Sequence, residues 1–524
     1  GTNDTGIVTA SGQSVPLEDG HHLTLRIQGD HVPLDEELRT CLAPAMQQAW
    51  SRLRLRGQVR LDTQLSYSSP TKDLQLTVRA ALGEEGILIE PDFFPYRLEN
   101  VRGLVTYRPG QLDLTNITAT HGRTRWASQG TCQLGADGSW ECHLHRLTAD
   151  GLQVDRDLLL AMPSRLRAGL AALHFSGPVN LSGAMRFSRS GQPQAPLRSS
   201  WDLQLNTHQG RIERGIALDQ IHGGLRLTGG YDGQRFGSQG WLDVDSLMYK
   251  GFQFTNIRGP CWFSDDSMIF GGAAGPARPG QPPQRITARA YDGAVVADCQ
   301  IALGDTTRFA LDAQVVDADL RRFATEALHD PPPLTGKVTA NLRLRGSDRG
   351  IHTLKGQGNA VVRNGDVNQL PLVLSLLKFL SENPSARNRF DNSDVKFRID
   401  GRHVLLDEVN FYGDAISLRG KGEMDFDRHI RMVFHATVGR DQMKLPVVGP
   451  VLGMASKQLM LVYVHGTIDD PQTTREALPG LRRAVQEIEA GLTEPPQEKS
   501  MLKKTQDWFD AVRPQSPMRS AEQP

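Results

Sequence analysis

Apolar and polar residues alternate in short runs along most of this chain. Leu74-Gln75-Leu76-Thr77-Val78-Arg79 and Val338-Thr339-Ala340-Asn341-Leu342-Arg343-Leu344 are clear cases. Trp201-Asp202-Leu203-Gln204-Leu205, Phe309-Ala310-Leu311-Asp312-Ala313 and Ile430-Arg431-Met432-Val433-Phe434 follow the same rule. A period of two puts the apolar side chains of a strand on one face and leaves the other face to water. Turn-forming clusters separate the runs, among them Asp137-Gly138, Tyr231-Asp232-Gly233 and Asn364-Gly365-Asp366. They predict antiparallel neighbours, mainly β, rather than the strand–helix alternation of a parallel α/β sheet.

The runs belong to a repeating unit. Leu34-Asp35-Glu36-Glu37-Leu38 recurs as Val154-Asp155-Arg156-Asp157-Leu158 and as Val316-Asp317-Ala318-Asp319-Leu320. Each copy opens a helical stretch, with Asp35, Asp155 and Asp317 suited to the N-cap and the second acid to the first turn. Each then leads to a strand start at Gly57, Gly177 or Gly336; Asp35 to Asp155 and Gly57 to Gly177 are both 120 positions apart. A second element, Leu98-Glu99-Asn100-Val101-Arg102-Gly103, recurs as Leu218-Asp219-Gln220-Ile221-His222-Gly223 and as Phe254-Thr255-Asn256-Ile257-Arg258-Gly259. The unit is a short helix followed by a β-meander.

One helix per repeat cannot cover the apolar face of the strands that follow it, and a one-sided sheet must cover that face or curl around it. The expectation is an extended, curled antiparallel sheet, a repeating β-groove; about 25–30 strands at about 4.8 Å each would extend roughly 120–140 Å. The alternative is a row of tandem β-sandwiches whose apolar faces pack on each other. For the groove, the inward residues are Val59, Leu61, Leu74, Leu76, Val78, Leu112, Leu114, Leu203, Leu205, Val338, Leu342, Leu406, Phe411, Met432 and Phe434.

The C-terminal part departs from the repeat. Asn368 to Asn383 holds a short, very apolar helix, which either covers a section of sheet or lines the groove or touches a bilayer. Gly420-Lys421-Gly422, Leu445-Pro446 through Gly453, Val464-His465-Gly466-Thr467-Ile468 and Asp469-Asp470-Pro471 follow, the last ending the sheet. Helices are expected over Thr473 to Leu492, interrupted at Pro479, and over Ser500 to Val512. This stretch resembles the closing segment of the AsmA-like superfamily, the AsmA, TamB and YhdP type of envelope protein. The resemblance implies a bacterial periplasmic protein, held in the inner membrane by an N-terminal helix, with a curled sheet used for phospholipid transport and outer-membrane biogenesis. It implies no catalytic residues. The expected organisation is 1–32, the end of a preceding repeat; 33–152, 153–315 and 316–440, three repeats; 441–494, the closing segment with its helix; and 495–524, a helix and disordered tail.

Composition narrows the function. Lys+Arg and Asp+Glu both number 59, so the chain lacks the basic excess that nucleic acid demands. Mean hydropathy is −0.38, and no apolar run reaches the roughly 20 residues of a transmembrane helix. Gly1 opens the sequence as the continuation of something longer, so an anchor would precede it. Nucleophile elbow, Walker loop and zinc-protease motifs are missing. The chain reads as no enzyme, with no cofactor or metal. Carboxylates are scattered, and a pair meeting across a sheet would leave no mark in the sequence. Gly271-Gly272-Ala273-Ala274-Gly275 reads as a loop rather than a phosphate cradle, and His143 and His145 as solvent-facing strand residues. Of five cysteines, Cys132 and Cys142 flank a hairpin whose three-residue loop, Ala136 to Gly138, would set them opposite each other. They are either a cross-strand disulfide, which suits an oxidising compartment, or two reduced strand residues. Two functions remain: a conduit for phospholipid or another acyl lipid, with envelope membrane proteins at either end, and a non-catalytic envelope scaffold or assembly factor.

Overall fold

A computed structural model describes residues 2–474 except 4–5, 163–166, 168–169, 172–173, 214–216, 275–282, 328–333, 381–389, 414–415, 439–458 and positions 43, 93, 193, 250 and 369. The expected segment Leu445 to Gly453 and the helix over Ser500 to Val512 lie outside the described residues, as does the helix over Thr473 to Leu492 beyond Thr474. The described chain is mainly β: 27 strands belong to one antiparallel sheet, accompanied by a few short helices. A row of tandem sandwiches would have distributed them over several sheets.

The chain divides into two compact units, Gly1–Leu247 with Trp262–Asp265, and Met248–Cys261 with Asp266–Pro524. Within each unit the strands form a meander, and their connections alternate between two rims. In the first unit α1 (Glu36–Thr40) and α2 (Pro44–Leu53) follow the strand Gly20–Pro33, and α3 (Arg156–Ala161) follows Trp140–Leu152. All three lie at the same rim; the opposite one carries turns and loops, such as those at Pro109-Gly110 and at 135–139. In the second unit α4 (Leu320–Ala327) follows Arg308–Asp319 and α5 (Pro371–Leu380) follows Lys355–Asp366, again at one rim.

The repeat seen in the sequence has a structural cause. Asn100, Gln220 and Asn256 all sit in the left-handed region (φ 52°, 49° and 52°), and the glycines three positions on have φ of 134°, 131° and 152°. The ladder slips beside them, between Glu99 and Arg102 and between Thr255 and Arg258. Each copy is therefore a β-bulge, which bends its strand and increases the local twist. Gly57, Gly177 and Gly336 match too, at φ 124°, 110° and 121°. Asn364-Gly365-Asp366, expected as a turn, is another bulge: Asn364 has φ 49° at the end of Lys355–Asp366, and the chain runs on toward α5. Asparagine tolerates this conformation because its short side chain bonds locally.

Capping follows the expectation in two copies and departs from it in the third. Asp35 accepts from the Leu38 amide at 3.0 Å and Asp155 from the Leu158 amide at 2.9 Å. Asp317 does not cap. It sits at φ 56° in a bulge, and Asp319 Oδ1 accepts from the amides of Arg321 and Arg322 at 3.0 and 3.1 Å. The bulge has moved the cap two residues along. At the C-terminal end Asp469-Asp470 does not finish the sheet either. Asp470 accepts from Gln472 Nε2 at 3.0 Å, and Pro471–Thr474 pairs as a further strand with Leu459–Thr467. Proline is tolerated as the first residue of a strand, where no ladder donor is required.

Replacing Asp319→Ala is expected to cost about 1 kcal/mol of stability through the lost cap. The Asp317→Asn substitution should leave the urea midpoint where it was. The opposite ranking in urea melts would return the cap to Asp317.

Candidate functional site: an uncovered apolar face

Register shows which side chains share a face. In the first unit Leu25, Leu65 and Leu76 stand in one cross-strand row, Leu61 lies opposite Ala80, and Val78 opposite Tyr107. Tyr107 faces Leu112, Leu112 faces Cys132, Cys132 faces Cys142, and Cys142 faces Phe187. Leu181 and Leu205, then Leu205 and Leu225, continue the same face, as do Gly183, Leu203 and Leu227. All nine groove candidates of this unit (Val59, Leu61, Leu74, Leu76, Val78, Leu112, Leu114, Leu203 and Leu205) lie on it. In the second unit Val338 faces Val362, Leu342 faces Gly358, and Gly358 faces Phe397, which faces Leu406. Phe411, Met432 and Phe434 share that face through Leu418, Gly422 and Gly420.

The opposite face is ionic. Arg26 and Asp62 pair at 2.8 Å and Arg226 and Asp202 at 2.8 Å; in the second unit Arg343 and Asp312 meet at 2.9 Å and Arg398 and Asp407 at 2.7 Å. The Arg398 guanidinium is held above its ordinary range, chiefly by its hydrogen bond to Asp407. Gly272 belongs to this network: its amide donates to Asp298 Oδ1 at 2.7 Å, and Asp298 also binds Arg285. The start of the Gly-rich loop thus holds a carboxylate of its own chain.

Cover over the apolar face is uneven. Beside the helix rim of the first unit it is closed: Val59, Ile87, Val101 and Ala119 form one buried cluster, and Tyr96, Ala149 and Leu152 form another with Leu158 and Ala161 of α3. Further from that rim none of the described helices lies over it. Leu25, Leu61, Leu65, Leu76, Val78, Leu112, Leu114, Leu203 and Leu205 stay half-buried, Leu23 is 38% exposed and Leu74 52%. The second unit shows the same contrast. Val338, Leu342 and Leu406 are half-buried, whereas Phe411, Met432 and Phe434 are buried in a cluster with Val373, Leu376 and Leu377 of α5. The apolar helix therefore covers a section of sheet, and its Ser375 hydroxyl donates to the Pro471 carbonyl at 3.0 Å. Those three candidates lie beneath a lid, apart from the open stretch.

Sequence reading missed a row of amphipathic aromatics. Tyr67, Tyr107, Trp140, Trp201 and Tyr231 all occupy the apolar face of the first unit, toward the rim without α-helices. Trp201 stacks on Phe236 at 5.6 Å and donates to Ser238 Oγ at 3.2 Å. The available signal was their place: Tyr67, Tyr107, Trp140 and Tyr231 each stand within two residues of a strand end next to a turn.

Cys132 and Cys142 form a disulfide, with Cα atoms 3.9 Å apart. Gly138 takes φ 80° in the hairpin between them, where Asp137 Oδ1 accepts from the Ser139 amide at 2.9 Å. With Cys142 bonded, its sulfur is no partner for a metal beside His143 and His145, whose rings meet edge to face at 6.2 Å. Among the described residues no helix is long and apolar enough to cross a membrane. No family model, curated protein or solved structure matches this chain.

The remaining thiols differ in reactivity. Cys41 is exposed; burial pushes Cys261 up to about 12 and Cys299 to about 11, the latter helped by Asp298. The thiolate is the reactive form, so buried thiols with raised pKa values are inert. Alkylation of the native, unreduced protein at neutral pH should add one label, at Cys41. Denaturation without reductant should give three labels and reduction all five. Five labels without reductant would remove the disulfide.

Proposed function

We propose that this chain is a non-catalytic lipid-transfer protein of the bacterial envelope, whose uncovered apolar face carries the acyl chains of phospholipid. The observation that carries the reading is the half-buried stretch of that face, running over successive strands with none of the described helices on it. Each such leucine keeps some tens of Å² in contact with water, which forgoes roughly 1 kcal/mol at about 25 cal/mol per Å². Ten or so of them amount to on the order of the whole stability of a domain. A fold that leaves this much apolar surface open is matched by a ligand that covers it. Acyl chains do so without directional bonds, so the lining needs only shape and polarity. The C-terminal resemblance to AsmA-like proteins supports the envelope and its membrane partners, and the disulfide supports an oxidising compartment.

Protein purified from an envelope without detergent should carry phospholipid detectable by mass spectrometry. Introducing Leu76→Asp and Leu203→Asp together should lower transfer between vesicles at least tenfold, with the melting temperature nearly unchanged. The wet-face control Gln204→Asp should transfer as the parent does. Lipid-free protein, or a double variant that still transfers, would favour the envelope scaffold instead.

A further inference from the structure

We propose that the rim of the first unit without α-helices holds a phosphate site at Arg189 and Arg198, and that the phosphate of a glycerophospholipid docks there. The inference rests on the lipid reading above and adds the orientation and class of the ligand. Its starting point is the chemical gradient across the apolar face. Near the helix rim that face is aliphatic and closed, with Val59, Ile87, Val101 and Ala119 buried. Toward the other rim it turns to Tyr67, Tyr107, Trp140, Trp201 and Tyr231. Tyrosine and tryptophan collect where an apolar phase meets water, because each has an apolar body and a polar tip. An amphiphile lying on this face has its chains toward the aliphatic side and its head at the aromatic side.

A cavity of about 720 Å³ opens at that same rim, bounded by Gly110, Gly135, Trp140, Arg189, Pro196 and Arg198 among others. Its volume is within the range of about 300–1,000 Å³ usual for small-molecule sites. Arg189 is the cross-strand partner of Trp140, and Arg198 that of Ser188. Arg189 therefore shares the apolar face with Trp140, whereas Arg198 starts from the opposite face beside Ser188; both reach the one cavity because it opens where the strands end. Glu141, the acid of this cavity, is engaged by Arg186 at 3.3 Å. Neither Arg189 nor Arg198 has an acidic partner among the described residues. Two arginines without a carboxylate, beside an indole, suit a phosphate, which guanidinium binds through paired N–H donors. The walls are fixed. The disulfide ties the strands beneath the turn at 135–139, and the loop after Arg189 lies so close to it that a Cβ on Gly191 would strike the Asp137 carbonyl.

The test compares three probes on the whole chain: dihexanoyl phosphatidylglycerol, dihexanoylglycerol and inorganic phosphate. The parent should bind the phosphatidylglycerol at least tenfold more tightly than the neutral diacylglycerol. In the Arg189→Ala/Arg198→Ala variant that preference should vanish while diacylglycerol binds as before. A preference that survives in the variant, or none in the parent, overturns the phosphate site and leaves the lipid reading standing. Inorganic phosphate bound through these arginines with neither amphiphile bound would overturn the lipid reading and leave an anion site. An Arg26→Ala control on the ionic face separates the site from loss of general positive charge.

Discussion

A sheet with one apolar and one ionic face has to do something with the apolar one, and the rest of the described structure follows from how few of the described residues cover it. A few short helices accompany 27 strands among the described residues, and they stand at rims. Cover is therefore local. Where a helix or loop folds inward, as α3 and the stretch around Tyr96 do, valine, isoleucine and alanine beneath it are fully buried. Away from it, leucine remains half in water. The ionic face supplies the complementary half of the design, since opposite charges on neighbouring strands hold the ladder while keeping that face wet.

Crowding shapes the apolar face as much as cover does. In the second unit Phe309, Phe397 and Phe434 stand directly opposite Gly346, Gly358 and Gly420. A Cβ on Gly358 or Gly420 would come within 2.5 Å of the facing ring. Large rings lie over positions with no side chain, an arrangement that protects a glycine backbone within a strand and leaves the face smooth. In the first unit Leu203, Leu114 and Trp201 likewise stand opposite Gly183, Gly130 and Gly229 in the ladder. These glycines look like flaws in the strand pattern; paired across the ladder, they make room.

Much of this could be read from the chain beforehand. Period-two alternation put Leu74, Leu76 and Val78 on one face without any knowledge of their neighbours, because in a strand the face of a side chain depends only on parity. The spacing of 120 positions located equivalent helices and equivalent bulges. What lay out of reach was tertiary. Whether Phe411 or Leu406 is covered depends on where α5 folds, and both alternate identically in sequence. The misplaced cap has the same origin. Asp317 and Asp319 are both acids ahead of a helix, and the choice between them was made by a left-handed residue that consumes two positions. The aromatic row escaped because its members come from different strands and converge only through register.

The contrast between closed and open stretches bears on how the face can work. A buried cluster such as that of α5 with Phe411, Leu418 and Phe434 has its apolar contacts satisfied within the protein, and a ligand could enter only by displacing the helix. That displacement would expose Val373, Leu376 and Leu377, all fully or nearly fully buried, at roughly 1.5–3 kcal/mol each. Occupancy by chains of ordinary lipid would have to recover that cost before gaining anything. The half-buried leucines of the first unit carry no such barrier among the described residues, since none of the described helices packs on them. Cheap, undirected coverage favours a ligand that slides, and the fixed cavity at the rim favours one that pauses. An amphiphile has one part suited to each.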